Sequence, residues 1–187
     1  MTVLRTMLLF GLVLGSTTLA WQIGPRKSKL VLTRSGTHFP LVSGYNLNRQ
    51  ERVFPADFRG DLNLVIVPFQ QHQQLTVNTW IPHLQQIEAA YPGFMYYELP
   101  TISAMPALSR TFINEGMRAG IPDPTARERT ITLYIDKQAY KSALGISNEN
   151  DIYLFLVDRQ GEILWRSSGE YNADKAAELE QALRAYR

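Results

Sequence analysis

Two patterns of apolar residues alternate along this chain. Residues 62–69 form an apolar run rich in Val and Ile, bounded in front by Gly60-Asp61. Such a run predicts a central strand covered on both faces. Over 73–90, Leu75, Trp80, Leu84 and Ile87 recur at helical spacing, which predicts a helix burying those four, kinked at Pro82 where an amide donor is missing. Tyr91-Pro92-Gly93 ends it. A second strand is expected at 94–99, then a helix at 104–115 with Met105, Leu108 and Phe112 on one face, and a loop at 120–124. A β-branched strand follows at 129–135, and a short helix at 137–144 stops at Gly145. Residues 152–157 and 162–165 flank Asp158-Arg159-Gln160-Gly161 and read as a hairpin. Asn172 caps a last helix at 173–186, with Ala176, Leu179 and Leu183 facing inward.

Before this series, 38–47 and 51–54 predict a short hairpin around Asn48-Arg49, and 21–37 is a polar lead-in with one strand at 30–33. From residue 62 the order is β-α-β-α-β-α-β-β-α. Helices between the early strands imply parallel crossovers, and the terminal hairpin adds an antiparallel edge. The expectation is one α/β domain over 38–187.

The first twenty residues change the picture of where it works. Arg5 gives a positive start, 7–14 an apolar run, and Thr18-Leu19-Ala20 small residues around a cleavage point, the pattern of a signal peptide over 1–20. The run is shorter than the roughly 20 residues that span a bilayer; an uncleaved N-terminal membrane anchor is the alternative. The domain is thus expected to be exported, periplasmic or extracellular, with peripheral or no membrane contact. Apolar residues make up 45% of the chain, enough for an ordinary core. The net charge is only +2 with both signs interspersed, which argues against a nucleic-acid partner.

Composition then decides the chemistry. The chain contains no cysteine, so it can form neither a disulfide nor a reactive thiolate. His72 and His83 lie eleven residues apart, about 16 Å along a helix, too far to share an ion, and no metal is expected. Gly-x-Ser-x-Gly and the phosphate-loop signatures are absent as well. No cofactor and no catalytic residue is expected.

Two segments stand out as candidate binding sites. Gln70, Gln71, His72, Gln73 and Gln74 fall where the first parallel strand meets its helix, the end at which α/β folds place ligands. Their amides can donate and accept, so they suit a peptide backbone; the plain alternative is a solvated loop that caps the helix. Met117, Arg118, Ile121 and Pro122 set an apolar tip beside a cation on a loop, a plausible protein contact. The plain alternative there is a helix stop with Met117 in the core.

The element order, Asp57-Phe58-Arg59-Gly60 before the strand and Ile81-Pro82-His83-Leu84 inside the helix, resemble thioredoxin-like and peroxiredoxin-like proteins. That resemblance implies a thioredoxin-like mixed sheet flanked by helices, with an N-terminal β-hairpin extension. It places Gln74-Leu75-Thr76-Val77 at the family's redox position and Ile152 at or near its cis-proline. Met117-Arg118-Ala119-Gly120-Ile121-Pro122, Leu144-Gly145-Ile146, residues 153–158 and Ile163-Leu164-Trp165-Arg166 resemble a second group, the thioredoxin-like assembly chaperones of mitochondrial ATP synthase. The implied function is a non-redox protein that binds another protein, such as a membrane-complex subunit, and assists assembly. The competing expectation is a divergent peroxiredoxin-related enzyme using a cysteine-independent Gln/His site or a bound cofactor.

Overall fold

The computed structural model describes residues 37–186. The signal segment at 1–20 and the expected strand at 30–33 lie outside the described residues. The elements run β1 (Val42–Asn46), β2 (Glu51–Phe54), β3 (Leu62–Val67), α1 (Gln74–Ala90), β4 (Phe94–Glu98), β5 (Thr101–Ser103), α2 (Ala107–Gly120), α3 (Pro124–Arg129), β6 (Ile131–Ile135), α4 (Lys137–Leu144), β7 (Tyr153–Asp158), β8 (Ile163–Ser168) and α5 (Ala173–Ala185). A single 3-10 turn, Gln71–Gln73, precedes α1.

Strand β3 explains the architecture. Its neighbours are β4, parallel, and β7, antiparallel, in the order β4-β3-β7-β8. Leu64 and Ile66 point into one apolar cluster while Val65 and Val67 point into another. Leu154 and Leu156 on β7 split from Phe155 and Val157 in the same way. Strands between two cores have no polar face, hence the apolar run of 64–67. The polar member of β3, Asn63, is fully buried and closes the preceding turn: its side chain accepts from the Gly60 N–H and donates to the Gly60 carbonyl, both at 2.9 Å.

Helices α1 and α5 cover one face with Val77, Trp80, Leu84, Ile87, Leu179 and Leu183; α4 covers the other with Tyr140 and Leu144. Helix α1 runs through Pro82 as one 17-residue element. Gly145 ends α4 in the left-handed region at φ 67°, where a side chain costs energy.

The expected hairpin forms, with Arg49 in its turn, and is more than an extension. Strand β1 pairs with β6, giving a second four-stranded sheet in the order β2-β1-β6-β5. Gly44 permits that contact, since a Cβ there would lie 2.5 Å from the Thr132 carbonyl oxygen. The two sheets join where β4 passes into β5: Leu99 N–H donates to Ile66, Thr101 N–H to Pro68, and Glu98 bridges Thr130. Three local expectations need correction. Leu75 is 76% exposed rather than inward. The second helix spans Ala107–Gly120, not 104–115, because Pro106 occupies its N-cap. Between the loop expected to end at 124 and the strand expected to start at 129, residues 124–129 form α3, since Asp123 caps Thr125 and Ala126 and Pro124 sits in the first turn.

Candidate functional site

The glutamine rim sits where it was expected, at the carboxyl end of β3, and its five members separate by task. Gln73 is only 2% exposed. Its Oε1 accepts from the Phe69 and Gln70 N–H groups at 2.7 and 3.2 Å, and its Nε2 donates to the Glu149 carbonyl at 2.8 Å. Gln70 donates to the same carbonyl at 3.1 Å. These two amides tie the start of α1 to the loop before β7. Glu149 is fixed in turn by Lys137 and Lys141; the hydrogen bond from Lys137 holds its carboxyl below the usual range, against the opposing effect of burial. Gln71 and His72 are exposed.

Gln74, which the resemblance sets at the redox position, donates to Asn78 at 3.1 Å and to Glu98 Oε2 at 3.3 Å. Burial raises the Glu98 carboxyl above its ordinary value, with the Gln74 hydrogen bond opposing. Gln74 and Glu98 thus provide an amide and a carboxyl as polar contacts where the resemblance sets the thiol. Ile152, which the resemblance sets at or near the cis-proline position, is fully buried. Among the described residues no group of three or more His, Asp or Glu side chains could hold a metal ion.

The second segment docks elsewhere. Helix α2 continues through Gly120, so Met117 and Arg118 lie in its last turn and not in a loop after it. Arg118 Nη1 donates to the Leu47 carbonyl at 3.2 Å, and Arg127 donates to the Arg118 and Ile121 carbonyls. Arg49, in the hairpin turn, pairs with Glu115 at 2.9 Å. Cations thus fasten the end of α2 to the β1–β2 turn and to α3. Met117 and Ile121 are half-buried and Pro122 is exposed. The rim contacts the loop before β7 and the Arg118 segment contacts the hairpin, so each serves its own part of the fold.

Among the described residues, the outer face of α2 carries the two most exposed large apolar side chains. No residue of this 14-residue helix is buried. Leu108 is 86% exposed and Phe112 83%, one turn apart; with Met105, Ser109 and Ile113 they line a shallow apolar depression of about 540 Å³. The inner side is held by polar contacts: Tyr134 OH donates to Asn114 Oδ1 at 2.9 Å, and Arg110 sits over the Tyr134 ring. The sequence signal was the Met105, Leu108, Phe112 spacing, which is equally the signature of a core-facing helix.

Sheet order, crossover helix and cysteine-free composition define a thioredoxin-like protein without the fold's redox pair. Solved structures share this fold. The thioredoxin domain of a thiol-disulfide oxidoreductase from Bacteroides vulgatus matches at 17% identity and a TM-score of 0.50, over 81% of this chain and 98% of that one. A candidate electron transfer protein from Aquifex aeolicus matches at 11% and 0.54, over 82% and 99%. A hypothetical protein from Sinorhizobium meliloti matches at 14% and 0.51, over 86% and 87%. No curated protein matches the chain. The family model described as ATP10 protein matches residues 30–185, and the chain belongs to that family. Membership in this ATP synthase assembly family, on a cysteine-free thioredoxin-like fold, gives the chain a non-redox, assembly-type role.

Proposed function

We propose that this protein assists membrane-complex assembly by holding an apolar segment of a subunit on the outer face of α2, outside the cytoplasm and beside a membrane. The observation that carries the reading is the exposure of Leu108 and Phe112 on a helix that buries none of its own residues. Exposed apolar patches rimmed by polar residues mark interaction sites. Covering two such side chains stabilises a complex by roughly 3–6 kcal/mol before the costs of association. That is a transient grip, suited to a factor that must release its client. Arg118, in the last turn, keeps donors beyond the one facing Leu47 and can anchor a carbonyl or carboxylate of the bound segment. The signal or anchor expected at 1–20 supports the location. Among the described residues no helix is long and apolar enough to cross a membrane.

The test is crosslinking in the native host, with the tagged full chain recovered from gently solubilised membranes. Wild type should enrich an ATP synthase membrane-sector subunit, crosslinked through α2. The double variant Leu108→Ser, Phe112→Ser should lose most of that enrichment, by about tenfold or more. Equal enrichment by wild type and variant would overturn the assignment of α2, and enrichment of no subunit by either would overturn the binding role.

A further inference from the structure

Helix α4 is only eight residues long and stops at Gly145, so it covers its face of the sheet only in part. Beyond its end, Tyr153 and Phe155 of β7 stand opposite Ser168 and Arg166 of β8. With Leu144 and Ile146 they line a cleft of about 310 Å³. That volume is at the small end of ligand sites.

No described residue that lines the cleft is acidic, and two are cations. Arg166 is exposed; its Nη1 donates to the Leu144 carbonyl at 3.5 Å, and its guanidinium lies 5.9 Å from the centre of the Phe155 ring. Gly145 leaves it this place, since a Cβ there would come within 3.4 Å of Arg166 Nη1. Lys175 arrives from α5, which packs on the opposite face of the sheet. It is the third residue of that helix, where a cation opposes the helix dipole. Its Nζ donates to the Glu170 carbonyl at 2.9 Å. Gly169, at φ 82°, keeps the space beside it open: a Cβ there would lie 3.2 Å from Lys175 Nζ and 2.9 Å from Asp151 Oδ2. The placement of Lys175 works against the helix and adds positive potential to the cleft.

We propose that this cleft binds a carboxylate carrying a short apolar tail. Asp151, beside Lys175, offsets one of the two cations, and the single positive charge left complements a monoanion. A guanidinium presents its donors as a fork that matches carboxylate geometry. The Ser168 hydroxyl, on the same side of β8 as Arg166, can donate beside it. Leu144, Ile146 and Phe155 are buried members of the α4-side core, so they give the tail a fixed apolar floor. That floor also lowers the local dielectric, which strengthens the charged contact. The same chemistry is carried by a free organic acid and by the C-terminal end of a polypeptide with an apolar last residue. This site is independent of the role given to α2.

The test is a titration of the full chain, followed by its backbone amide resonances, with hexanoate, hexanamide and N-acetyl-leucyl-leucine as probes. An acid should shift the resonances of 144–146 and 166–168 saturably, and hexanamide should bind about tenfold or more weakly than hexanoate. Tighter binding of the dipeptide would assign the site to chain ends, and tighter binding of hexanoate to free acids; either supports it. Arg166→Gln and Lys175→Gln should each lower the affinity about tenfold. Arg184→Gln, which removes the same charge at the other end of α5, should leave it unchanged. Equal binding of acid and amide, or equal affinity in wild type and both cleft variants, would overturn the proposal. So would the absence of any saturable shift at these residues up to about 10 mM of either acid.

Discussion

Helix α1 and helix α2 both carry apolar residues at helical spacing, and they meet different surroundings. Helix α1 buries Val77, Trp80, Leu84 and Ile87 against the central strands. Helix α2, only three residues shorter, buries nothing. Yet apolar and polar positions are segregated more sharply on α2 than on α1. A helix wedged between sheet and solvent tolerates a mixed pattern because the sheet selects which side chains go in. A helix whose apolar face stays outside needs polar contacts along its other side to remain attached, and α2 has them in Arg110, Asn114 and Arg118. The difference is that the apolar face of α1 is covered by the core and that of α2 is left exposed within the described fold.

Breaking α1 should have the largest effect on the fold. Trp80 is fully buried, its Nε1 donates to the Gly169 carbonyl at 2.9 Å, and its ring meets Tyr171 edge-on. Trp80→Ala should cost about 3–5 kcal/mol in chemical denaturation, from the cavity and the orphaned carbonyl. The double variant of Leu108 and Phe112 should stay within about 0.5 kcal/mol of wild type in the same assay. Equal losses in both would mean that α2 packs as α1 does, and the comparison would collapse.

A second experiment sharpens what holds the start of α1. Glu98 lies beneath Gln74, at the joint between the sheets, and burial raises its carboxyl above the ordinary value of 4.5. The folded state therefore holds this proton more tightly than the unfolded chain. That contribution to stability is fully present below the unfolded value and is lost as pH rises through the folded one. Glu98→Gln removes the titration and keeps a polar partner for Gln74. Denaturation profiles of wild type and variant should converge in acid and separate with rising pH, the variant becoming relatively more stable. Parallel profiles would show that the carboxyl ionises freely and that the joint is wet.

These experiments also mark what the sequence could and could not disclose. The central strand, its helix and the closing hairpin were legible because 64–67 and 152–157 are apolar on both faces and the turns are marked by Gly and Asp. The cap of α3 is equally legible in Asp123-Pro124, although the β-branched run behind it gives a competing strand signal. The pairing of β1 with β6 was not legible, since a contact between residues so distant in sequence leaves no local period. The glutamine rim is legible from its place in the chain, but its division into two ties to Glu149, an exposed Gln71–His72 pair and a Gln74 contact with Glu98 depends on residues remote in sequence. The face of α2 was read correctly as a face. Periodicity records that apolar residues line up and is silent on whether the fold covers them.

Gly116 gives the smallest expected effect and the finest test of α2. It falls two turns beyond Leu108 and one beyond Phe112, so the three share one side of the helix. A Cβ built at Gly116 meets nothing within 4 Å, and its backbone is not in the left-handed region. Nothing within the described fold therefore requires glycine here, although it weakens a helix interior by about 0.5–1 kcal/mol relative to alanine. Gly116→Ala should raise stability by that amount. If a client backbone approaches α2 as closely as a bare glycine permits, the same methyl should reduce crosslinking to the client. A gain in stability with crosslinking unchanged would confine docking to the Leu108–Phe112 end. A loss of stability would show that this side of α2 is covered within the fold, and the contrast with α1 would fail at its most exposed point.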